Sequence, residues 1–190
     1  QVIWGAGDGA GKSVTSGYLG FDMSWTGYWM LKWHEAGLPE SGSVVERCSR
    51  LANFLITRQR PDGMLPTRFD EGGNDERILS DDVRAETAPV VRFLCELYKS
   101  SRDPRHLQAA KKGLAYLDRN VVADRKWYDF ETFWSCSPRL AALDQRTQQW
   151  PANDLALIHA VAAYLQAYQT THEKPYLARG EALLDYLFLY

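Results

Sequence analysis

Residues 88–117, APVVRFLCELYKSSRDPRHLQAAKKGLAYL, lie over residues 158–187, IHAVAAYLQAYQTTHEKPYLARGEALLDYL, at a constant offset of 70 with no gap. Val91 falls on Val161, Tyr98 on Tyr168, Ser100 and Ser101 on Thr170 and Thr171, and Asp103 on Glu173. Leu107, Leu114 and Leu117 fall on Leu177, Leu184 and Leu187. A weaker third copy lies upstream, where residues 49–55 (SRLANFL) resemble residues 111–117 (KKGLAYL). Self-similarity at a fixed period marks a repeat architecture and takes precedence over any single-element reading.

Within each copy the apolar residues recur at spacings of three and four, the helical period, on both sides of a short polar joint. Pro104 and Pro175 stand where a second helix begins, the end of a helix that tolerates proline. Asp103, just before Pro104, is placed to cap it. The pattern predicts helices near 21–36, 42–59, 84–101, 104–121, 153–171 and 175–190, with no segment that alternates for long enough to be a core strand. These pair into three hairpins near 21–59, 84–121 and 153–190, read as one domain over 1–190, and the fold class is all-α, built of α/α hairpin repeats. The joints within hairpins are short, whereas residues 60–83 and 121–152 make long connections, a length usually reserved for function or disorder. The alternation puts both long loops and the glycine-rich opening segment on one face, with the N-termini of the first helix of each hairpin. Loops over a rigid scaffold and helix N-termini are favoured places for a site.

Composition excludes several classes of function. The chain of 190 residues has 22 Lys and Arg against 24 Asp and Glu, a formal net charge of −2 spread evenly, so no basic face for nucleic acid is expected. No apolar run reaches the roughly 18 residues of a membrane span. Cys48, Cys95 and Cys136 are far apart, odd in number and outside any CxxC motif. They indicate neither a zinc knuckle nor a disulfide scaffold, and they leave the compartment undecided. Cys48 and Cys95 fit small core positions. None of His34, His106, His159 and His172 is spaced with another His or Cys for a metal. The acidic turn at 70–75 lacks EF-hand spacing, and neither metal nor cofactor is expected. Residues 6–13, AGDGAGKS, approximate a phosphate-binding loop. Yet no further strand is available to build the parallel sheet such a loop needs, and a lid loop is the better reading.

Three stretches in this setting carry a resemblance to a known family: residues 58–66 (RQRPDGMLP), 127–133 (WYDFETF) and 149–154 (QWPAND). The chain resembles the six-hairpin (α/α)6 toroid, glycosidase-like superfamily, in which a helix ending in a Gln-x-x-Asp-Gly-x-x-Pro turn, here Gln59 to Pro66, is frequent. That superfamily includes glycoside hydrolases, polysaccharide lyases, sugar epimerases and terpene cyclases, so the fold alone does not name a reaction. It uses six hairpins where this sequence has three. The resemblance therefore implies about half of a toroid, a partial chain whose ring is completed by the remainder of its own chain or by a second subunit.

Glycoside hydrolysis needs two carboxyl groups across a bound sugar, one kept protonated by its surroundings. On the proposed face the catalytic candidates are Asp22, Asp82, Glu86, Glu131 and Asp154. Asp22 sits among Gly20, Phe21, Met23 and Trp25, an apolar setting that would raise its pKa on burial, as it would for a structural carboxyl. Asp154 opens a helix, where an Asp is also an ordinary cap or dipole partner. By the offset its equivalent is Arg84, beside Asp82 and Glu86. Trp25, Arg84, Tyr128, Trp134, Trp150 and Asn153 are the substrate-binding candidates. Residues 127–134, WYDFETFW, combine two carboxylates with five rings, a platform for sugar or a loop pinned by its own side chains.

The preferred expectation is a carbohydrate-active enzyme, a glycoside hydrolase acting on an oligosaccharide through paired carboxylates. The first alternative is a polysaccharide lyase or sugar epimerase on the same scaffold, with Arg84, Tyr128, Arg139 and His159 to move the proton and hold the sugar; His159, on an otherwise apolar helix, reads more readily as a core or wall residue than as a base. The second alternative is a non-catalytic helical-repeat module that binds a glycan or peptide.

Overall fold

The computed structural model describes residues 18–38, 43–66, 68–70, 72–74, 85–127, 145–146, 148 and 152–188. Its elements are β1 (Tyr18–Leu19), α1 (Gly20–Glu35), α2 (Val44–Ile56), β2 (Arg68–Phe69), α3 (Thr87–Ser101), α4 (Pro104–Leu117), a π-helical turn (Asp118–Val122), α5 (Asp154–Thr171) and α6 (Lys174–Leu187). The six helices form three α/α hairpins, as the repeat requires.

The repeat extends to the details of the joints. Arg102 and His172, seventy residues apart, end α3 and α5 in the left-handed conformation, φ 55° and 60°. Their N–H groups donate to Tyr98 O at 3.0 Å and Tyr168 O at 2.7 Å. One residue earlier, Ser101 Oγ accepts from Asp103 N at 3.3 Å and Thr171 Oγ1 from Glu173 N at 3.2 Å. A non-glycine residue with positive φ is strained, and here two matched turns hold it. Asp103 caps α4 by accepting from Arg105 N at 2.9 Å. Pro104 opens α4, and Pro175 is the second residue of α6.

α1, α3 and α5 form an inner row with α3 in the middle, and α2, α4 and α6 back them. α3 is buried at every position from Thr87 to Leu97 except Arg92, which is the signature of a helix covered on all sides. Close approach depends on small residues. A Cβ on Gly27 of α1 would stand 2.6 Å from Phe93, and one on Gly113 of α4 would stand 2.6 Å from Val91. Leu31, Cys48, Ala52, Leu55, Phe93, Leu94 and Cys95 fill the core between them. Burial pushes the two thiols up, Cys48 to about 11 and Cys95 to about 12, so both stay protonated and inert as small core groups.

Toward their C-terminal ends the inner helices share a polar tether. Glu96 of α3, 2% exposed, accepts from Gln166 Nε2 of α5 at 2.8 Å and from Lys99 Nζ at 3.0 Å. Lys32 of α1 lies 3.6 Å from the same carboxylate. A buried charge is tolerated only when it is paired and hydrogen-bonded in this way.

Several boundaries differ from expectation. α2 ends at Ile56, not near 59, because Arg58 N and Gln59 N bond three residues back, to Leu55 O and Ile56 O, and close the helix in a turn. α3 begins at Thr87, three residues later than expected. α4 stops at Leu117 and widens into the π-turn, whose Asp118 is held by the Tyr164 hydroxyl at 3.0 Å and by Arg179 Nε at 2.8 Å. A strand pair unseen in the sequence joins Tyr18 to Phe69 and Leu19 to Arg68, antiparallel. Two residues per strand are too few to alternate legibly. The phosphate-loop-like residues 6–13 lie outside the described residues, as does Cys136. In the acidic turn, the Asp70 carboxylate accepts from the Asn74 amide and side chain at 2.8 to 3.2 Å, so its oxygens are engaged in closing the turn on itself.

The turn from Gln59 to Pro66 has a clear physical function. Gln59 Nε2 donates to Gly63 O and to Ala109 O of α4, both at 2.9 Å. Asp62 Oδ1 accepts from Met64 N at 3.0 Å, and Leu65 N donates to Thr87 Oγ1 at the start of α3 at 3.3 Å. The motif thus ties the end of hairpin one to both helices of hairpin two. Gly63 has φ 100°, and a Cβ there would stand 2.3 Å from Lys112 O. Gly63→Ala is expected to cost about 2 to 4 kcal/mol from backbone strain and overpacking together. Gly37→Ala has φ 73° with nothing within 4 Å, and it should cost only about 1 to 2 kcal/mol. Urea unfolding of both variants checks the difference.

Candidate functional site

The N-terminal halves of the inner helices meet in an aromatic cluster. Trp25, Arg92 and His159 are each the sixth residue of their helix, counting from Gly20, Thr87 and Asp154. Helical side chains lean toward the N-terminus, so all three lean toward the end of the row where β1 and β2 pair. Phe21 and Trp25 stack with ring centroids 6.0 Å apart, and His159 meets both edge-on at 5.0 and 5.3 Å. Trp29 continues the row, edge-on to Trp25 at 5.8 Å and to Tyr28 at 5.5 Å. Arg92 lies 3.9 Å over the Tyr28 ring and 5.9 Å from that of Trp25, and its Nη2 donates to the Tyr28 hydroxyl at 2.9 Å.

α1 is apolar on two opposite faces. One face, with Gly27, Tyr28 and Leu31, enters the core. The other presents Trp25, Trp29 and Trp33 at intervals of four, exposed by 37, 40 and 56%. Rings that remain this open can meet a ligand. Aromatic pairs contribute about 0.5 to 1.5 kcal/mol each beyond burial, so the cluster holds its own geometry.

Among the sequence candidates, Asp22 is the third residue of α1, one turn before Trp25 and half-buried. Burial raises its carboxyl above the ordinary carboxylate range, the direction a general acid needs. Glu86 is 2% exposed at the residue preceding α3, and its side chain does not cap the helix. Asn153 is the cap of α5, its side chain accepting from Ala156 N at 3.2 Å. Asp154 is the exposed first residue of that helix. All of these sit at N-terminal ends of the inner helices, as Trp25 nearly does. Asp82, Arg84, Tyr128, Glu131, Trp134 and Trp150 lie outside the described residues, as does Arg139. Of the aromatic stretch 127–134 only Trp127 is described, and it is a core residue, 1% exposed, whose carbonyl accepts from Asn153 N at 2.8 Å.

Arg92, Tyr28, Trp29 and Phe21 were not among the sequence candidates. The 70-residue offset hides Arg92, because its equivalent is Ala162, and it sets His159 against Pro89. Counting from the expected starts at 21, 84 and 153 gives Thr26, Pro89 and Ile158 instead, so the trio emerges only from the observed starts at Gly20, Thr87 and Asp154.

His159 is held neutral. Burial first, and the Arg92 charge second, push its imidazole from the usual range near 6.5 down to about 4. His106 is lowered in the same direction by burial. A folded-state pKa below the unfolded value means that the unfolded chain binds the proton more readily. The stabilisation is complete above about pH 6.5 and is lost as pH falls toward 4, by about 3 kcal/mol for His159. His159→Gln is therefore expected to lose less stability between pH 7 and 4.5 than the parent chain. Urea midpoints at the two pH values check this, and equal losses would refute it.

No protein-family model matches the sequence, and no curated protein matches it significantly. Solved structures share its fold, among them the following two. Cellobiose 2-epimerase from Bacillus thermoamylovorans B4167 superposes with a TM-score of 0.64 at 16% identity, over 89% of this chain and 44% of its own. A metagenome-derived glycoside hydrolase family 9 endoglucanase superposes with a TM-score of 0.51 at 14% identity, over 92% of this chain and 38% of its own. The chain thus spans less than half the length of either structure, and within that span its three hairpins have the α/α-hairpin toroid fold.

Proposed function

We propose that this chain is part of a carbohydrate-active enzyme whose substrate lies across the N-terminal ends of α1, α3 and α5. The observation that carries this is the open aromatic row of Phe21, Trp25 and Trp29 beside Arg92 and a neutral His159, on a fold shared with two enzymes of carbohydrate chemistry. Sugar rings stack on indole faces while their hydroxyls need charged and polar partners, and this cluster offers both.

Within that class we put glycoside hydrolysis first, with Asp22 as general acid because burial already favours its protonated form. Its partner carboxylate is sought among Asp154, Glu86, Asp82 and Glu131, and Trp134 and Trp150 are further candidates for sugar binding. Sugar epimerisation is the second reading, and His159 is what favours it, since a neutral imidazole can accept a proton from a sugar carbon. The reading carries a further set of three hairpins, from more of the same chain or from a second subunit. They would meet the arc at its ends, where exposed apolar residues lie outside the aromatic row: Trp33 and Leu38 at one end, Ile158, Leu184 and Phe188 at the other. None is on α2, α3 or α4.

Assay of the chain, with its completing hairpins, on an oligosaccharide panel separates the readings. Hydrolysis releases reducing sugar and is expected to fall by about 10² to 10⁴ in Asp22→Asn. Epimerisation in D₂O places deuterium on the product carbon and is expected to fall by the same order in His159→Gln. Trp25→Ala should weaken binding in either case. Binding without any product would replace both readings with a glycan-binding module, and no binding at all would remove carbohydrate from the account.

A further inference from the structure

Arg92 stands apart from the other cations of the inner row. Lys32 and Lys99 are paired with Glu96, and Lys99 also with Glu35 at 3.3 Å. Outside that row, Arg50, Arg105 and Arg179 each have a carboxylate, and Arg58 donates to the carbonyls of Gly73 and Phe54. Arg92 has no carboxylate within ion-pair distance among the described residues. Its one polar partner there is the Tyr28 hydroxyl, and its Nε is buried without a partner. A half-buried guanidinium has lost part of its hydration, and a ring face with one phenol oxygen replaces only a fraction of it. The fork of a guanidinium matches a carboxylate or phosphate through two parallel hydrogen bonds. The stack of Phe21 and Trp25 beside it would hold a sugar ring.

We propose that Arg92 anchors an anionic group, a carboxylate or a phosphate, carried by a sugar bound against Trp25. The substrate class is then an acidic carbohydrate. The proposal rests on the carbohydrate reading above and narrows it. The anion would neutralise the positive field that Arg92 exerts on His159, so ligand binding and the His159 proton are coupled. Asp22, on the same side of α1 as Trp25, would feel the added negative charge and hold its proton more firmly, in the direction burial already sets.

The test is calorimetric titration of the purified protein, completing hairpins included, with glucuronate oligosaccharides, sugar phosphates and the matched neutral oligosaccharides. Acidic ligands are expected to bind about tenfold or more tightly than neutral ones, with the advantage shrinking as salt rises. Arg92→Gln should bring acidic ligands to the level of neutral ones, and Arg92→Lys, which keeps the charge without the fork, should retain part of the preference. Preference confined to the uronates identifies the anion as carboxylate, and preference confined to the sugar phosphates identifies it as phosphate. Equal binding of acidic and neutral ligands, or a preference that survives in Arg92→Gln, overturns the proposal while leaving the carbohydrate reading in place. If no sugar of either kind binds, the carbohydrate reading falls and this one with it. An independent readout needs no variant: glucuronate at saturation should raise the NMR titration midpoint of His159, whereas glucose should not, and an unmoved midpoint under saturating glucuronate counts against the anchor.

Discussion

One buried carboxylate sets the axial register of the whole arrangement. Glu96 is nearly without solvent and takes hydrogen bonds or ion pairs from its own helix, from α5 and from α1. Because its partners Gln166 and Lys32 sit at fixed heights on their helices, sliding any one of the three would strand a charge in the interior, an error worth several kcal/mol. Glu96 and Gln166 are equivalent residues of the repeat, so the register of the sequence repeat and that of the packed helices are the same. With the C-terminal halves pinned, the N-terminal halves come together, and Phe21 and Trp25 can reach His159 across the front of α3.

The two ends of the inner row differ in how charge is treated. At the Glu96 end every cation named has its carboxylate, which is the economy of a structural network. At the Trp25 end a guanidinium faces a phenol and rings, an imidazole is held neutral, and a carboxyl is pushed toward its protonated form by burial. Perturbed titratable groups gathered at one end of a scaffold are characteristic of sites where chemistry or binding takes place. The aromatic row adds a surface that the core does not consume, since α1 buries its opposite face.

The turn from Gln59 to Pro66 links these ends to the path of the chain. Its side-chain amide spans the turn and α4, and its glycine lets the backbone pass within contact of Lys112. Beyond it the chain runs to β2, which pairs with β1 directly before α1 and so sets the connection against the start of the first inner helix. The connection thereby borders the Trp25 end while Met64, Leu65 and Phe69 are buried in the core.

The sequence by itself determined the hairpins, because helical period, proline placement and a gapless repeat are local signals that each helix carries whatever its neighbours do. It also marked Asp103 as a cap, Cys48 and Cys95 as core, and Trp25 and Asp22 as residues of interest, since each follows from the few positions around it. Tertiary structure alone decided which polar residues belong together. Arg92 gives no local signal, being the one half-exposed position between Thr87 and Leu97, and its relation to Tyr28 and His159 arises from three helices about 70 residues apart. Trp127 looked like part of an aromatic platform and is core, because burial depends on what packs over a ring and not on how many rings adjoin it. Likewise Asn153 and not Asp154 caps α5, a matter of one residue in where the backbone turns helical. A repeat can say that equivalent positions share a fold, but a site is made where the copies differ, and those differences acquire meaning only once the helices are packed.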